Sequence, residues 1–337
     1  MKWLFRIFRT VTAPVIKILS LIFTPVFGNF AAPYKAKDEK NLRLNMAVLS
    51  DIHLRGDKDR IRKLHNGLID LEKSKTPNDV MVSVGDLTDH GEPEHWELAE
   101  KIFAEHKPAK ELFLVLGNHD TWTREESDKN SEELFIEYSK KISSREIDSM
   151  YFSAQINGYT FIALGSEGDS CNADFSDEQV KWLDETMEKA AVNGKPIFVF
   201  CHQSINVTHG LPYTWSRKYD DGDVLRPDDG GIGEKSDEIL AILKKYKNVF
   251  YMSGHIHLGL GGKRSFAKKG YASVENDGSL HKINLPCFMF LNHHGCLNST
   301  GLGFQFEVYD DKVIMRPRSY ASRIWYSKFN RVFTLER

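Results

Sequence analysis

The chain has 337 residues, 41% of them hydrophobic and 27% charged, with 45 basic against 47 acidic side chains. That composition belongs to a folded globular protein and excludes wholesale disorder, a collagen-like chain or a disulfide-dense miniprotein. With no global basic excess, no nucleic acid is expected as a structural partner.

The charge is uneven. Residues 1–37 carry Lys2, Arg6, Arg9, Lys17, Lys35 and Lys37 and no acidic side chain, so the remainder is acidic, with 39 basic against 47 acidic residues. At about 100° per residue, Lys2, Arg6, Arg9, Lys17, Ser20 and Thr24 share one stripe. Trp3, Leu4, Phe8, Val11, Val15, Ile18, Leu19 and Ile22 cover the opposite face. The pattern suits a helix lying on an anionic membrane surface through residues 1–27, kinked at Pro14. A signal peptide or signal anchor, and a helix packed on the body, are the alternatives; a spanning helix of about 20 apolar residues fits poorly with Pro14, Lys17 and Pro25. The expected division is a membrane-associating segment and linker at 1–38 and one domain at 39–337. The expected location is peripheral, on the cytoplasmic face, with export or a signal anchor as the alternative.

Beyond Leu42, short apolar runs alternate with helical patterns. Met46–Ser50 is followed by Asp51-Ile52-His53, Val80–Val84 by Gly85-Asp86, and Phe113–Leu116 by Gly117-Asn118-His119-Asp120. Ile197–Cys201 is followed by His202, and Val249–Met252 by Ser253-Gly254-His255-Ile256-His257. Five buried-strand signals thus end in residues that can bind metal. Helices are expected over about 58–73, 93–106, 131–142, 177–191 and 236–246, with Ser176 and Ser236 as N-caps and a capping box from Ser176 to Gln179. Asn157-Gly158 between two apolar runs marks a hairpin, and Asp310-Asp311 a second one. The alternation predicts an α/β fold with helices on both faces of the sheet, and ligands in such sheets bind beyond the carboxyl ends of the strands.

Asp, His and Asn are hard or borderline ligands that suit Mn, Fe or Zn. Asp51 and His53 stand two apart, as do His255 and His257, and an extended backbone would point each pair to one side. Asp51, His53, Asp86, Asn118, His202, His255 and His257 make seven candidate ligands, too many for one tetrahedral ion and suited to two divalent ions sharing a carboxylate. Paired ions roughly 3.5–4 Å apart can clamp a phosphate and generate hydroxide near neutral pH. His119 is left without a ligand role, with Asp120 beside it to orient the imidazole.

These blocks resemble the five-part signature of calcineurin-like metallophosphoesterases, in order over about residues 46–258. The resemblance implies a four-layer αββα sandwich with a dinuclear metal centre. It implies Asp51, His53 and His257 on the first metal, Asn118, His202 and His255 on the second, and Asp86 bridging them. His119 would be the acid toward the leaving oxygen or a transition-state donor, and a metal-bridging hydroxide the nucleophile. The family's protein-phosphatase branch usually carries an arginine in the second block, where this chain has His90. That resemblance therefore favours the cyclic-nucleotide-phosphodiesterase-like branch and a phosphodiester substrate. The alternatives are a membrane phosphomonoesterase or lipid-headgroup phosphodiesterase and, in another class, a non-catalytic metal-binding scaffold.

The stretch His209–Lys235 lacks periodicity and can close over the site, offering Trp215 or Tyr213 as a stacking face. His293-His294 can line the cleft, and Arg55 and Lys58 stand in a solvated loop or, as the alternative, meet an anionic substrate. The basic-aromatic tail with Arg323, Trp325, Tyr326, Lys328, Phe329, Arg331 and Phe333 offers a second membrane contact. The four cysteines, Cys171, Cys201, Cys287 and Cys296, include no CxxC pair, so neither a zinc ribbon nor a disulfide framework follows.

Overall fold

The computed structural model describes residues 32–122, 130–168, 171–215, 226–261, 271–292 and 300–336. The amphipathic segment at 1–27, Arg217, Lys218, Tyr219, His293, His294 and Cys296 lie outside the described residues. Among those described, no helix is long and apolar enough to cross a membrane.

The first half alternates strand and helix: β1 (Leu44–Leu49), α1 (Lys58–Glu72), β2 (Val80–Val84), α2 (Pro93–Ala104), β3 (Glu111–Val115) and α3 (Ser131–Ser143). The second half runs through β4 (Phe152–Ile156), β5 (Tyr159–Leu164), α4 (Asp177–Ala191), β6 (Ile197–Cys201), α5 (Ser236–Lys244), β7 (Val249–Ser253), β8 (Val274–Asp277) and β9 (Leu280–Asn284). Then β10 (Leu302–Val308), β11 (Lys312–Ser319), β12 (Ile324–Trp325) and β13 (Arg331–Thr334) return to the first sheet. That sheet has the order β12-β11-β10-β1-β2-β3, with β13 also on β11; the second has the order β4-β5-β6-β7-β9-β8. Both are mixed: β1, β2 and β3 are parallel, as are β5, β6, β7 and β9, while β10 runs antiparallel to β1.

Period-two patterning explains why two sheets stack. On β1, Leu44, Met46 and Val48 join Phe161, Phe198, Phe200 and Phe250 of the second sheet in a central core. Ala47 and Leu49 point the other way, into a core with Leu64, Leu68, Trp96 and Phe135 from α1, α2 and α3. A third core lies between the second sheet and α4 and α5, around Leu183, Val199 and Tyr251. Three cores separate four layers, which is the αββα sandwich expected. A buried bidentate pair, Arg318 on β11 with Asp70 on α1 at 2.6 and 2.7 Å, pins the first helix to its sheet.

The chain reaches β1 at the pole opposite the strand carboxyl ends. Tyr34 donates its hydroxyl to Asn45 Oδ1 at 2.7 Å and accepts from Lys75 N at 2.7 Å. Ala36 N donates to Thr76 Oγ1 and Lys37 N to Glu307 Oε2.

Several expectations need correction. Ser236 is the first residue of α5 rather than its cap, because its hydroxyl accepts from Asn206 N at 3.0 Å. Ser176 does cap α4, accepting from Gln179 N, but the Gln179 amide turns to Gly165 O and Ser176 N donates to Glu167, so the box is half made. A full capping box stands instead at Asn130 and Glu133. The tail is no aromatic display: Trp325, Tyr326 and Phe333 are buried, and β12 and β13 pair with β11. Trp325 lies under the Arg316 and Arg318 guanidinium groups, at 4.3 and 4.5 Å.

Candidate metal centre

All seven ligands expected from the sequence follow the carboxyl end of a strand. Extended backbone does not carry them there: β1 stops at Leu49 and β7 at Ser253. Asp51, His53, Asp86, His255 and His257 instead adopt left-handed backbone, with φ of 56°, 43°, 52°, 69° and 47°. The two-residue spacing still converges, through a turn at each residue rather than through the pleat. Such positions cost about 1–3 kcal/mol each, so five together rival the roughly 5–15 kcal/mol net stability of a domain. Strain on that scale persists only where the surroundings over-determine it. Here Asp51 N, His53 N and Leu54 N donate to Gly85 O, Asp86 O and Leu87 O, which extends pairing past the strands. Two glycines allow the close approach. A side chain at Gly85, itself at φ +76°, would strike the His202 ring, and one at Gly254 would strike Ser50 and Asp51.

The donor atoms gather in two overlapping groups. Asp51, His53 and Asp86 offer atoms within 4.8 Å of one another, and so do Asp86, His202 and His255. Asp86 belongs to both: its Oδ2 stands 3.5 Å from His53 Nε2 and 3.1 Å from His202 Nε2. Its Oδ1 accepts from His119 N at 2.9 Å. His257 completes the first group, with Nε2 3.1 Å from Asp51 Oδ1 and 3.2 Å from His53 Nε2. Asp51 is steadied by the backbone N–H of His255, which reaches both its oxygens.

The arrangement fits two metals on its own terms. His255 Nε2 and Asn118 Oδ1 are buried atoms without a hydrogen-bond partner, and His202 Nε2 faces only the Asp86 carboxylate, at 3.1 Å; buried polar atoms rarely stay unpaired unless an ion or water satisfies them. These are the three atoms that the resemblance assigns to the second metal beside Asp86. His202 Nδ1 donates to Val84 O at 2.9 Å; a carbonyl only accepts, so Nδ1 keeps its proton and Nε2 is the nitrogen that ligates once its own proton is displaced. The residues that would hold the first ion are Asp51, His53, His257 and Asp86, and the second Asp86, Asn118, His202 and His255.

In the protein alone, this cluster is strongly polarised. Burial opposes ionisation of Asp51, but the charges of His257 and His202 outweigh it and bring its carboxyl to about 2. Burial likewise opposes Asp86, and His202 with His119 holds it well below the usual carboxylate range. Burial disfavours the charged form of His202, yet Asp86 pushes it up to about 9. His255 is held well below its ordinary value by burial.

Comparison with known proteins agrees with this geometry. Residues 44–259 match the calcineurin-like phosphoesterase family. The chain belongs to that family. No curated protein matches it. Among solved structures, a dimetal phosphatase from Danio rerio is similar at 12% identity and a TM-score of 0.54, covering 88% of this chain and all of that one. GAP50, described as the anchor in the inner membrane complex of Plasmodium, is similar at 14% identity and a TM-score of 0.52, covering 88% of this chain and 90% of that one. Both likenesses are of fold. As a calcineurin-like phosphoesterase, the chain is a metal-dependent hydrolase of phosphoester bonds.

Around the centre of this phosphoesterase, roles divide differently from what neighbouring positions suggest. His119 donates from Nδ1 to the backbone carbonyl of Asp89 at 2.7 Å, which leaves Nε2 toward the open side. Its ring meets that of His53 edge-on, at 4.6 Å between centroids. Asp120 does not touch the His119 imidazole. Its carboxylate is buried and accepts from Leu87 N, Thr88 N, Thr88 Oγ1 and Gly117 N. Burial and Asp86 raise it to about 6. Its place is between the second and third blocks, as a brace, and not beside the reacting atoms.

Sequence reasoning passed over the residues behind the ligands. Asp89 is buried, with Oδ1 3.4 Å from His53 Nδ1 and 2.8 Å from Arg60 Nη1. Burial opposes its charge, but His53 and Arg60 hold its carboxyl below the ordinary range. A carboxylate behind a ligating imidazole orients it and raises its basicity. Its presence in the Gly-Asp-x-x-Asp block was the available signal. Arg55 also reaches Asp89, at 3.1 Å. Trp215 stacks on His255, at 4.2 Å between centroids and 16° between planes, so the described part of the long loop does cover the centre. Phe290 closes the other side against His53 and His257, at 4.9 and 5.9 Å. Trp122 lies edge-on to His119 at 5.1 Å. Cys287 lies close to His53 and His257.

Proposed function

We propose that this phosphoesterase hydrolyses water-soluble phosphodiesters with two divalent ions, Mn, Fe or Zn, while residues 1–27 hold it on an anionic membrane surface at the cytoplasmic face. The observation that carries the diester reading is the state of the cations at the rim. Arg55 and Arg60 are each already paired with Asp57 and Asp89. Among the described residues, neither arginine is left uncommitted to meet the further charge of a monoester dianion, whereas a diester brings one negative charge. Alkoxide departure from a diester also needs a proton, and His119, as the imidazolium, can supply one from Nε2.

When bound, a pair of divalent cations would neutralise phosphoryl oxygens and lower the pKa of water. The chain's own residues do the rest. Asp86 sets the spacing of the two positions, Val84 O holds the proton on His202 Nδ1, the Asp89 carboxylate stands behind His53, and the Asp89 carbonyl aims His119 at the leaving oxygen. Trp215 and Phe290 wall the centre on two sides and limit access of bulk water.

The preference for soluble over lipid substrates follows from the entry of the chain. Tyr34 is fixed at the pole opposite the metal centre. Residues 28–33 reach at most about 20 Å, and a domain of this size is roughly 50 Å across. An arm anchored on a membrane therefore keeps the cleft turned toward water. A scaffold role without turnover is disfavoured by the complete donor set. The test is turnover of the full chain on a soluble bis-aryl phosphodiester, its matching monoester and a phosphodiester lipid in anionic vesicles, with vesicle flotation in parallel. Flotation with turnover of the soluble diester is expected. Preference for the monoester or for the vesicle lipid would overturn the reading.

A further inference from the structure

The outer helical layer over the first sheet repeats part of the chemistry of the catalytic centre. His65 lies on α1, and His106 lies two residues beyond the carboxyl end of α2. His65 Nδ1 and His106 Nε2 face each other at 2.8 Å, with ring centroids 5.0 Å apart. A carboxylate oxygen of Glu105 completes a group of three donor atoms within 4.8 Å of one another. Behind His106, Glu72 Oε1 stands 3.1 Å from Nδ1 and also accepts from Lys107 N at 2.7 Å. The catalytic centre has the same sequence of groups, with Asp89 behind His53 and His53 Nε2 facing His257 Nε2 at 3.2 Å. In both places a carboxylate backs an imidazole whose other nitrogen meets a second imidazole, the arrangement of a ligating histidine.

We propose that His65, His106 and Glu105 form a peripheral site for a divalent cation of the zinc class, with Glu72 orienting His106. Two imidazole nitrogens and one carboxylate, with a position left for water, are a donor set that zinc takes tetrahedrally at about 2.0–2.2 Å. Two nitrogens on such an ion stand about 3.3 Å apart, so the imidazoles part by about 0.5 Å to admit it. His65 is partly buried and the His106 side chain 10% exposed, with exposed Glu105 beside them. Glu72 accepts a hydrogen bond from His106 Nδ1–H, which leaves the lone pair of Nε2 to ligate. The carbonyl end of α2 beside the group adds a favourable partial charge for a cation.

Without a cation, the same atoms form a hydrogen-bonded chain from His65 through His106 to Glu72, and the two states differ in what they bind. The full chain, His106→Ala and His65→Gln are dialysed to equilibrium against zinc chloride and their zinc content is measured. Glutamine at 65 can still donate to His106 but brings no imidazole, so this variant separates ligation from hydrogen bonding and preserves the contact between helices. Each variant is expected to lose one zinc per chain while phosphodiester turnover and circular dichroism stay as in the wild type. Equal zinc in all three proteins would overturn the site. So would a loss of zinc matched by a loss of turnover, which would put the missing ion at the catalytic centre.

Discussion

The two sheets bring unlike chemistry to one place. From the first come Asp51, His53, Asp86, Asn118 and His119, which include every oxygen donor of the centre. The second supplies only imidazoles: His202, His255 and His257. Each half also prepares the ligands of the other. Val84 O of the first sheet holds the proton on His202 Nδ1, and the backbone N–H of His255 steadies the Asp51 carboxylate. The second position is shared, because Asp86 of the first sheet closes the His202–His255 pair of the second, and the first takes His257 from the second sheet beside Asp51, His53 and Asp86. Metal binding is therefore coupled to the docking of the two halves, and an ion bound only by the docked state adds to stability by mass action.

The contrast can be broken first on the catalytic side of the first half. His119→Ala should lower turnover of a diester with a poor leaving group by about 10²–10⁴-fold, with the bound metal unchanged by elemental analysis. Undiminished turnover would remove His119 from proton transfer. Next comes the carboxylate behind the ligand. Asp89→Asn should weaken metal affinity or activity by about 10–100-fold, read by titration with manganese, while Asp120→Asn should act mainly on thermal stability.

The second half is tested by pH. His202 sits at about 9 in the metal-free chain, raised by Asp86 against the effect of burial. Its Nε2 must be bare to ligate, so at pH 7 an incoming ion displaces a proton. Apparent affinity at the second position should then rise about tenfold per unit between pH 7 and 9 and level off above. A flat profile across that range would mean that His202 is already neutral before metal arrives.

Much of this was legible in the residues. Five apolar runs ending in Asp, Asn or His specified the strands, their polarity and the convergence of Asp51, His53, Asp86, His202, His255 and His257. The Asn157-Gly158 turn is as read, with both residues at positive φ. What escaped was the layer of contacts behind the ligands. Adjacency in sequence suggested Asp120 as the partner of His119, but in the tight turn after β3 the Asp120 carboxylate swings back into the N–H groups of two blocks, and a carbonyl 30 residues earlier takes its place. Asp89 and Arg60 are 29 positions apart, and nothing in local patterning marks them as a pair. The tail misled because basic-aromatic composition looks alike whether its rings face a membrane or, as Trp325 does, lie beneath arginines of the same sheet.

The most direct test of a centre shared between two halves is metal stoichiometry in Asp86→Asn, measured with manganese on the full chain beside Asn118→Ala and His257→Ala. Asp86 joins both positions, so its replacement should empty both and abolish diester turnover, whereas each of the other two should empty one. An Asp86→Asn protein that keeps two manganese ions and its turnover would contradict the account.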